Sequence, residues 1–384
     1  MKFQFSTAPK IIFGPGSAQS IPEHASRLGS RICLVSGRTP DRIKWLQNAL
    51  ETQGLYTFSL SVTKEPDTDL ITEYAEEARK KECNLVIAVG GGSVLDAGKA
   101  LAALITNKKN LYDYLEVVGK GMPLENKPAQ LIAVPTTSGT GSEVTSNAVL
   151  LSKKHDIKIS LRSTDMIPDL AVIDPELTLS MPATVTANTG LDALTQLMEA
   201  FVSKFVSPIT APLCREGITH AVSGLRPAVL DGQNLEARSS MSLASLLSGI
   251  ALANAGLGAV HGFAAPLGGQ FKAPHGAVCA ALLPHVMEIN LQALFKRDPQ
   301  NTSIAAYTEI GSILTGNNKA SAYDGVKWIK GLCAELNIST LSEMGITTKD
   351  FPELATKAAQ ASSMKGNPIT LTHEELMEIL RLAF

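Results

Sequence analysis

The sequence lacks most of the features that mark several functional classes. Its five cysteines (Cys33, Cys83, Cys214, Cys279 and Cys333) are odd in number and have no paired spacing. That argues against a disulfide framework and predicts a reducing, cytoplasmic compartment. No stretch is apolar for long enough to span a bilayer, and "MKFQFSTAPKIIFGPGS" reaches Pro9 and Gly14 before any signal-peptide core develops. Like charges form no long runs and the formal net charge is −2, so neither nucleic acid nor a membrane surface is an expected partner. Internal repeats and low-complexity segments are missing too. There is no nucleophile elbow, no CxxC pair and no P-loop lysine at the required spacing, and hydrolase and kinase readings lose their support.

What is present describes a soluble globular protein. The 384 residues, 45% apolar and 18% charged, suffice for two domains of ordinary size. Up to residue 180 the chain alternates β-branched runs with helical patterns, the signature of βαβ units and a mostly parallel sheet. "RICLVSG" (31–37), "NLVIAVGGGS" (84–93) and "QLIAVPTTSGTGS" (130–142) read as buried strands, with helices over 41–53 and 69–82. From 181 to 384 helical patterns take over, and Pro175 and Pro182 mark the boundary. The expectation is an α/β dinucleotide-binding domain (1–180) followed by an all-α metal and substrate domain (181–384).

"AVGGGSVLDAGKA" (88–100) places Gly90, Gly91 and Gly92 between a buried strand and a helix opening at Ser93. Without Cβ atoms these residues let a phosphate approach the backbone at the positive end of the helix. The spacing is not G-x-G-x-x-G, and the bland alternative is a tight strand-to-helix turn. "PTTSGTGSE" (135–143) adds five hydroxyls and two glycines after the next strand, donors for the rest of a dinucleotide. In "GLDALTQLMEA" (190–200), Asp192 and Gln196 sit one helical turn apart. His261 and His275 bracket a segment rich in Gly and Ala, and with Asp192 they form a chemically sensible site for Zn²⁺ or Fe²⁺. A lone histidine on an apolar helix is more often a satisfied core residue. His285 reads as structural, whereas His24, His155, His220 and His373 have polar neighbours and read as solvent-facing.

These motifs, together with "IIFGPGS", "VIDPELT", "NAGLGAVHGFAAPLGGQFKAPHGAVCAALLPHVMEIN" and "KGNPITLTHEEL", resemble the iron-containing (group III) alcohol dehydrogenases nearly end to end. The resemblance implies the dehydroquinate synthase-like architecture, a cleft where nicotinamide and metal meet, and at least a homodimer, built by N-terminal strand addition. It implies that Gly90, Gly91, Gly92, Ser93 and Asp96 hold the cofactor's pyrophosphate region, with Thr136, Thr137 and Ser142 along its other side. The family's metal ligands are an Asp, a His four residues on, and two later histidines. Those positions here are Asp192, Gln196, His261 and His275, so one ligand is changed.

Two further departures stand out. Ala265 occupies a position where many members carry a histidine near substrate and nicotinamide. Where NAD-preferring relatives often end the "RICLV"-type strand with Thr-Asp, this chain has Ser36-Gly37-Arg38. Loss of the carboxylate and gain of an arginine predict NADP(H) over NAD(H). The expected activity is hydride transfer between the nicotinamide and an alcohol/aldehyde or ketone pair. A divalent metal, Fe²⁺ or Zn²⁺, would polarise the substrate oxygen from Asp192, His261 and His275, the catalytic trio, with Gln196 a weak fourth ligand. Related glycerol dehydrogenases also use an Asp and two histidines. The alternatives are a metal-independent reductase resembling maleylacetate reductases, and a catalytically silent dinucleotide-binding protein.

Overall fold

The β-branched runs form eight short strands in the computed structural model, which describes residues 2–155, 157–271 and 273–384. They are β1 (Ile11–Phe13), β2 (Arg31–Ser36), β3 (Tyr56–Ser61), β4 (Leu85–Gly90), β5 (Gln130–Pro135), β6 (Asn147–Ser152), β7 (Ile157–Arg162) and β8 (Leu170–Ile173). Among the described residues, six of them build one sheet in the order β1-β8-β5-β4-β2-β3, each neighbouring pair parallel. A parallel sheet is covered on both faces, so its strands are apolar throughout rather than alternating. Cys33, Val86 and Ala133 pack towards the helices Thr68–Lys80 and Gly92–Thr106, whereas Leu34, Ile87 and Val134 pack towards Ile21–Leu28 and Lys44–Thr52.

The winding of this sheet explains where a ligand belongs. From β2 the chain moves outward to β3, then crosses back to β4 on the other side of β2 and continues to β5 and β8. Winding therefore reverses between β2 and β4, and their carboxyl ends flank the crevice that such a reversal opens. The strands are shorter than the sequence runs: they stop at Ser36, Gly90 and Pro135, and the helix after β4 opens at Gly92, one residue before the expected Ser93. The antiparallel β6–β7 hairpin was not anticipated among the parallel units.

The sheet unit spans Thr7–Thr137 and Gly141–Ser180. The helical unit takes Met181–Phe384 together with Ser138–Thr140 and residues 2–6. Pro182 precedes the helix Ala183–Val202, as a residue unable to continue a helix backwards should. That helix packs against Thr210–Leu230, Leu235–Ala255 and His275–Arg297, and it is buried without interruption from Gly190 to Val202. A helix covered on every side is normally apolar on every side. Asp192, Gln196 and Glu199 are thus polar groups carried into the core, each requiring a partner. Arg238 pins the start of this helix, its buried guanidinium donating to Thr186 Oγ1 at 2.7 Å, the Met181 carbonyl at 3.1 Å and the Gly232 carbonyl at 3.0 Å.

Among the described residues, one single helix, His275–Arg297, is long and apolar enough to cross a membrane, and most of it is buried in the helical core. His285 on it is half-buried, its pKa lowered to about 4 by burial and by Lys330, in keeping with a structural role. His155 and His373 are exposed, but His24 and His220 are half-buried rather than fully solvent-facing.

Inside the sheet unit, Lys99 is buried with its ammonium 2.9 Å from Thr145 Oγ1 and 3.1 Å from Asp96 Oδ1. Burial pushes the nearby Glu143 carboxyl up to about 7 from 4.5, and Lys99 only partly offsets this. The folded state therefore holds the Glu143 proton more tightly than the unfolded chain does. The associated stability is complete below 4.5 and is lost as pH rises towards 7. Urea unfolding across this window should show a Glu143→Gln variant losing less stability than the parent, by up to about 3 kcal/mol. Parallel pH profiles for the two proteins would contradict this.

Candidate active site

Three chain segments meet at the switch point of the sheet unit. Gly90 ends β4, and Gly91 opens the helix Gly92–Thr106. No side chain caps that helix, so its first-turn N–H groups and positive end are available to an anion. The glycines are also demanded by packing: a Cβ on Gly90 would lie 2.5 Å from Val94 Cγ2, and one on Gly91 would lie 3.3 Å from Thr137 Cγ2. Ser93 is half-buried on the first turn. The Thr136 N–H donates to the Gly90 carbonyl at 2.9 Å, joining the second turn to the first.

Asp96 and Ser142 bind each other. The Ser142 hydroxyl donates to Asp96 Oδ1 at 2.6 Å, and Asp96 Oδ2 accepts the Val149 N–H at 3.0 Å. Both carboxylate oxygens thus hold the second turn and the hairpin against the helix. At the end of β2, the buried Ser36 accepts the Val62 N–H through its carbonyl, and the Gly37 carbonyl accepts the Ser61 hydroxyl at 2.8 Å. Arg38 is exposed, with Nη2 3.4 Å from the Thr63 carbonyl. It has no carboxylate partner among the described residues.

The helical unit gathers a second constellation. Asp192 lies on Ala183–Val202, His261 on Ala259–Phe271, and His275 at the start of His275–Arg297. His261 Nε2 is 3.3 Å and His275 Nε2 3.6 Å from Asp192 Oδ1. One ligand atom from each of Asp192, His261, His275 and Cys279 falls within 4.8 Å of all the others. Gln196 is buried, and its amide oxygen is 2.7 Å from the Ser248 hydroxyl. Ala265 is exposed on the His261 helix.

Two members of this cluster were not singled out from the sequence. Glu199 is buried, accepting from the His261 imidazole at Nδ1 (2.6 Å) and from the Val260 N–H (2.7 Å). Holding Nδ1 orients the ring and turns Nε2 towards Asp192. Cys279 is fully buried, with Sγ 3.8 Å from Nε2 of both His261 and His275. The available signals were spacings: Glu199 is two turns beyond Asp192, and Cys279 one turn beyond His275.

The residues present fit a divalent cation. Among the described residues Asp192 Oδ1 is buried without a well-formed hydrogen bond, and the nearest polar atoms are the two imidazole Nε2 atoms. A buried anionic oxygen in that state is strongly unfavourable unless positive charge compensates it. Burial raises the Asp192 pKa, but the charges of His275 and His261 outweigh it and leave the carboxyl below its usual value. Burial likewise opposes charge on His261, yet Cys279, Asp192 and Glu199 hold its pKa well above normal. Cys279 first, then Asp192, push His275 up to about 9 against burial. Each shift reports a site that attracts positive charge. Carboxylate, imidazole and thiol donors suit Zn²⁺ or Fe²⁺.

Comparison with known proteins agrees across both units. Residues 8–175 match the iron-containing alcohol dehydrogenase family, and residues 186–384 match the C-terminal part of the Fe-containing alcohol dehydrogenase family. A 1,3-propanediol dehydrogenase from Citrobacter freundii is 37% identical, covering 97% of this chain and 96% of its own length. An alcohol dehydrogenase structure from Oenococcus oeni superposes with a TM-score of 0.91 at 34% identity over 100% of both chains. A sulfoacetaldehyde reductase from Bifidobacterium kashiwanohense, solved with NAD+, gives a TM-score of 0.88 at 27% identity, covering 100% of this chain and 99% of its own. With the fold and both halves of the sequence matched, the chain belongs to the iron-containing alcohol dehydrogenase family.

Proposed function

We propose that this protein transfers hydride reversibly between NADP(H) and an alcohol/aldehyde or alcohol/ketone pair. The observation that carries the reading is the buried Asp192 oxygen, without a hydrogen-bond partner among the described residues and facing two imidazoles, within a chain whose relatives include named alcohol dehydrogenases. Asp192, His261 and His275 would hold a divalent cation. When bound, such a cation supplies Lewis acidity to the substrate oxygen. Glu199 orients the His261 ring so that it presents Nε2.

The cofactor belongs at the glycine turn. The N–H groups around Gly91, Gly92 and Ser93 and the end of the helix would hold the pyrophosphate, and Thr136 and Thr137 would add donors beside it. Asp96 and Ser142 act as positioning residues, since their polar atoms bind each other. Ser36 and Gly37 lead to Arg38, whose guanidinium, without a carboxylate partner among the described residues, would meet a 2′-phosphate. When bound, the nicotinamide would supply the acceptor for the hydride of the substrate carbon in the oxidation direction. The hydroxyl proton leaves to water, because the exposed Ala265 offers neither acid nor base. The account includes a cytoplasmic homodimer, joined through the N-terminal segment in which Phe3 and Phe5 are exposed.

With both coenzymes compared on one aldehyde, kcat/KM should favour NADPH. Arg38→Ala should lower the NADPH value about tenfold, as expected for loss of one charge-assisted contact of roughly 1.5 kcal/mol, and leave the NADH value unchanged. A clear NADH preference in the parent protein would refute the assignment. Dialysis against a chelator should abolish turnover, and added Zn²⁺ or Fe²⁺ should restore it. Undiminished turnover by metal-free protein would support a metal-independent reductase instead, and coenzyme binding without turnover on a panel of aldehydes and ketones would support a silent binding protein.

A further inference from the structure

We propose that Cys279, rather than Gln196, supplies the fourth protein ligand of the cation held by Asp192, His261 and His275. The inference rests on the metal-dependent reading above and deepens it. Its starting point is convergence: the Cys279 sulfur is 3.8 Å from Nε2 of both histidines, and those same nitrogens are 3.3 and 3.6 Å from Asp192 Oδ1. Zinc binds nitrogen and oxygen at about 2.05 Å and sulfur at about 2.3 Å, so tetrahedral neighbours lie roughly 3.3 Å apart for N and O and roughly 3.6 Å apart for N and S. Four of the six edges of the cluster therefore approach those of a slightly expanded zinc tetrahedron, and a substrate oxygen would enter as a fifth ligand.

A second, independent observation points to a ligand at the same place, namely the buried Asp192 Oδ1 with no hydrogen-bond partner among the described residues. Gln196 is otherwise engaged, because its amide oxygen lies against the Ser248 hydroxyl at 2.7 Å. An amide is also a neutral, weak donor. Cys279 is one helical turn beyond His275, so the two donors project from the same helix face.

The exchange has chemical consequences. Binding replaces the thiol proton with the metal and releases that proton to solvent, so affinity falls as pH falls. A thiolate is softer than the imidazole it would replace, and it shifts preference from ferrous iron towards zinc. It also brings one more negative charge, which compensates the cation more fully.

The test is a cobalt(II) titration of the metal-stripped full-length protein, followed by absorption spectroscopy. The expected result is one cobalt per chain with a near-ultraviolet thiolate-to-cobalt charge-transfer band. Cys279→Ser should lose the band and bind cobalt at least about tenfold more weakly, whereas Gln196→Ala should keep both the band and the affinity. Cobalt bound stoichiometrically without the band would overturn the role of Cys279 and leave the metal-dependent function standing. Failure to bind cobalt at all would overturn both. The spectrum of the parent protein decides the matter even if Cys279→Ser does not fold.

Discussion

A carboxylate buried in a helix that is covered on every side is the constraint from which the helical unit's chemistry follows. The helix Ala183–Val202 has no solvent-facing stripe between Gly190 and Val202, yet it carries Asp192, Gln196 and Glu199. Each polar side chain is accommodated differently. Glu199 is satisfied by an imidazole and a backbone N–H, and Gln196 meets a hydroxyl from a neighbouring helix. Asp192 is left with one oxygen that no donor among the described residues satisfies. One helix face thus provides a positioning residue, a structural contact and a site for positive charge, spaced by single turns.

The sheet unit offers the complementary feature, an uncapped helix end beside the carboxyl ends of its strands. Reversal of the winding between β2 and β4 brings the Ser36-Gly37-Arg38 segment and the glycine turn to the same edge. The bland reading of the glycines is partly right, since Gly90 leaves no room for a side chain beside Val94. That close packing sets the uncapped end of Gly92–Thr106 against the Thr136–Thr137 turn. The Asp96–Ser142 pair then ties the second turn to the helix. Packing and ligand approach here require the same residues.

Much of this was legible in the sequence, and the remainder was hidden for identifiable reasons. Continuous β-branched runs identified β2, β4 and β5, because strands buried on both faces need no alternation. The β6–β7 hairpin pairs with no strand of the main sheet, so a βαβ reading passes over it. Residue type and family resemblance singled out Asp192, His261 and His275, which the fold brings together. Cys279 was missed because a cysteine among alanines and leucines reads as a small core residue, and its partners are distant in sequence. Glu199 looked like the polar side of an amphipathic helix, and only packing shows that the helix has no such side. The Ser248 contact that engages Gln196 joins residues 52 positions apart, a pairing that helical periodicity within one element does not encode.

The central claim is that Asp192 anchors a divalent cation, with the histidines and the Glu199 carboxylate arranged around that need. Isothermal titration of Zn²⁺ into chelator-stripped protein tests it most directly, with Asp192→Asn as the comparison. The account predicts one bound cation per chain for the parent protein and an affinity reduced by more than about tenfold in the variant. Equal affinity in the two proteins, or no saturable binding by the parent, would contradict it.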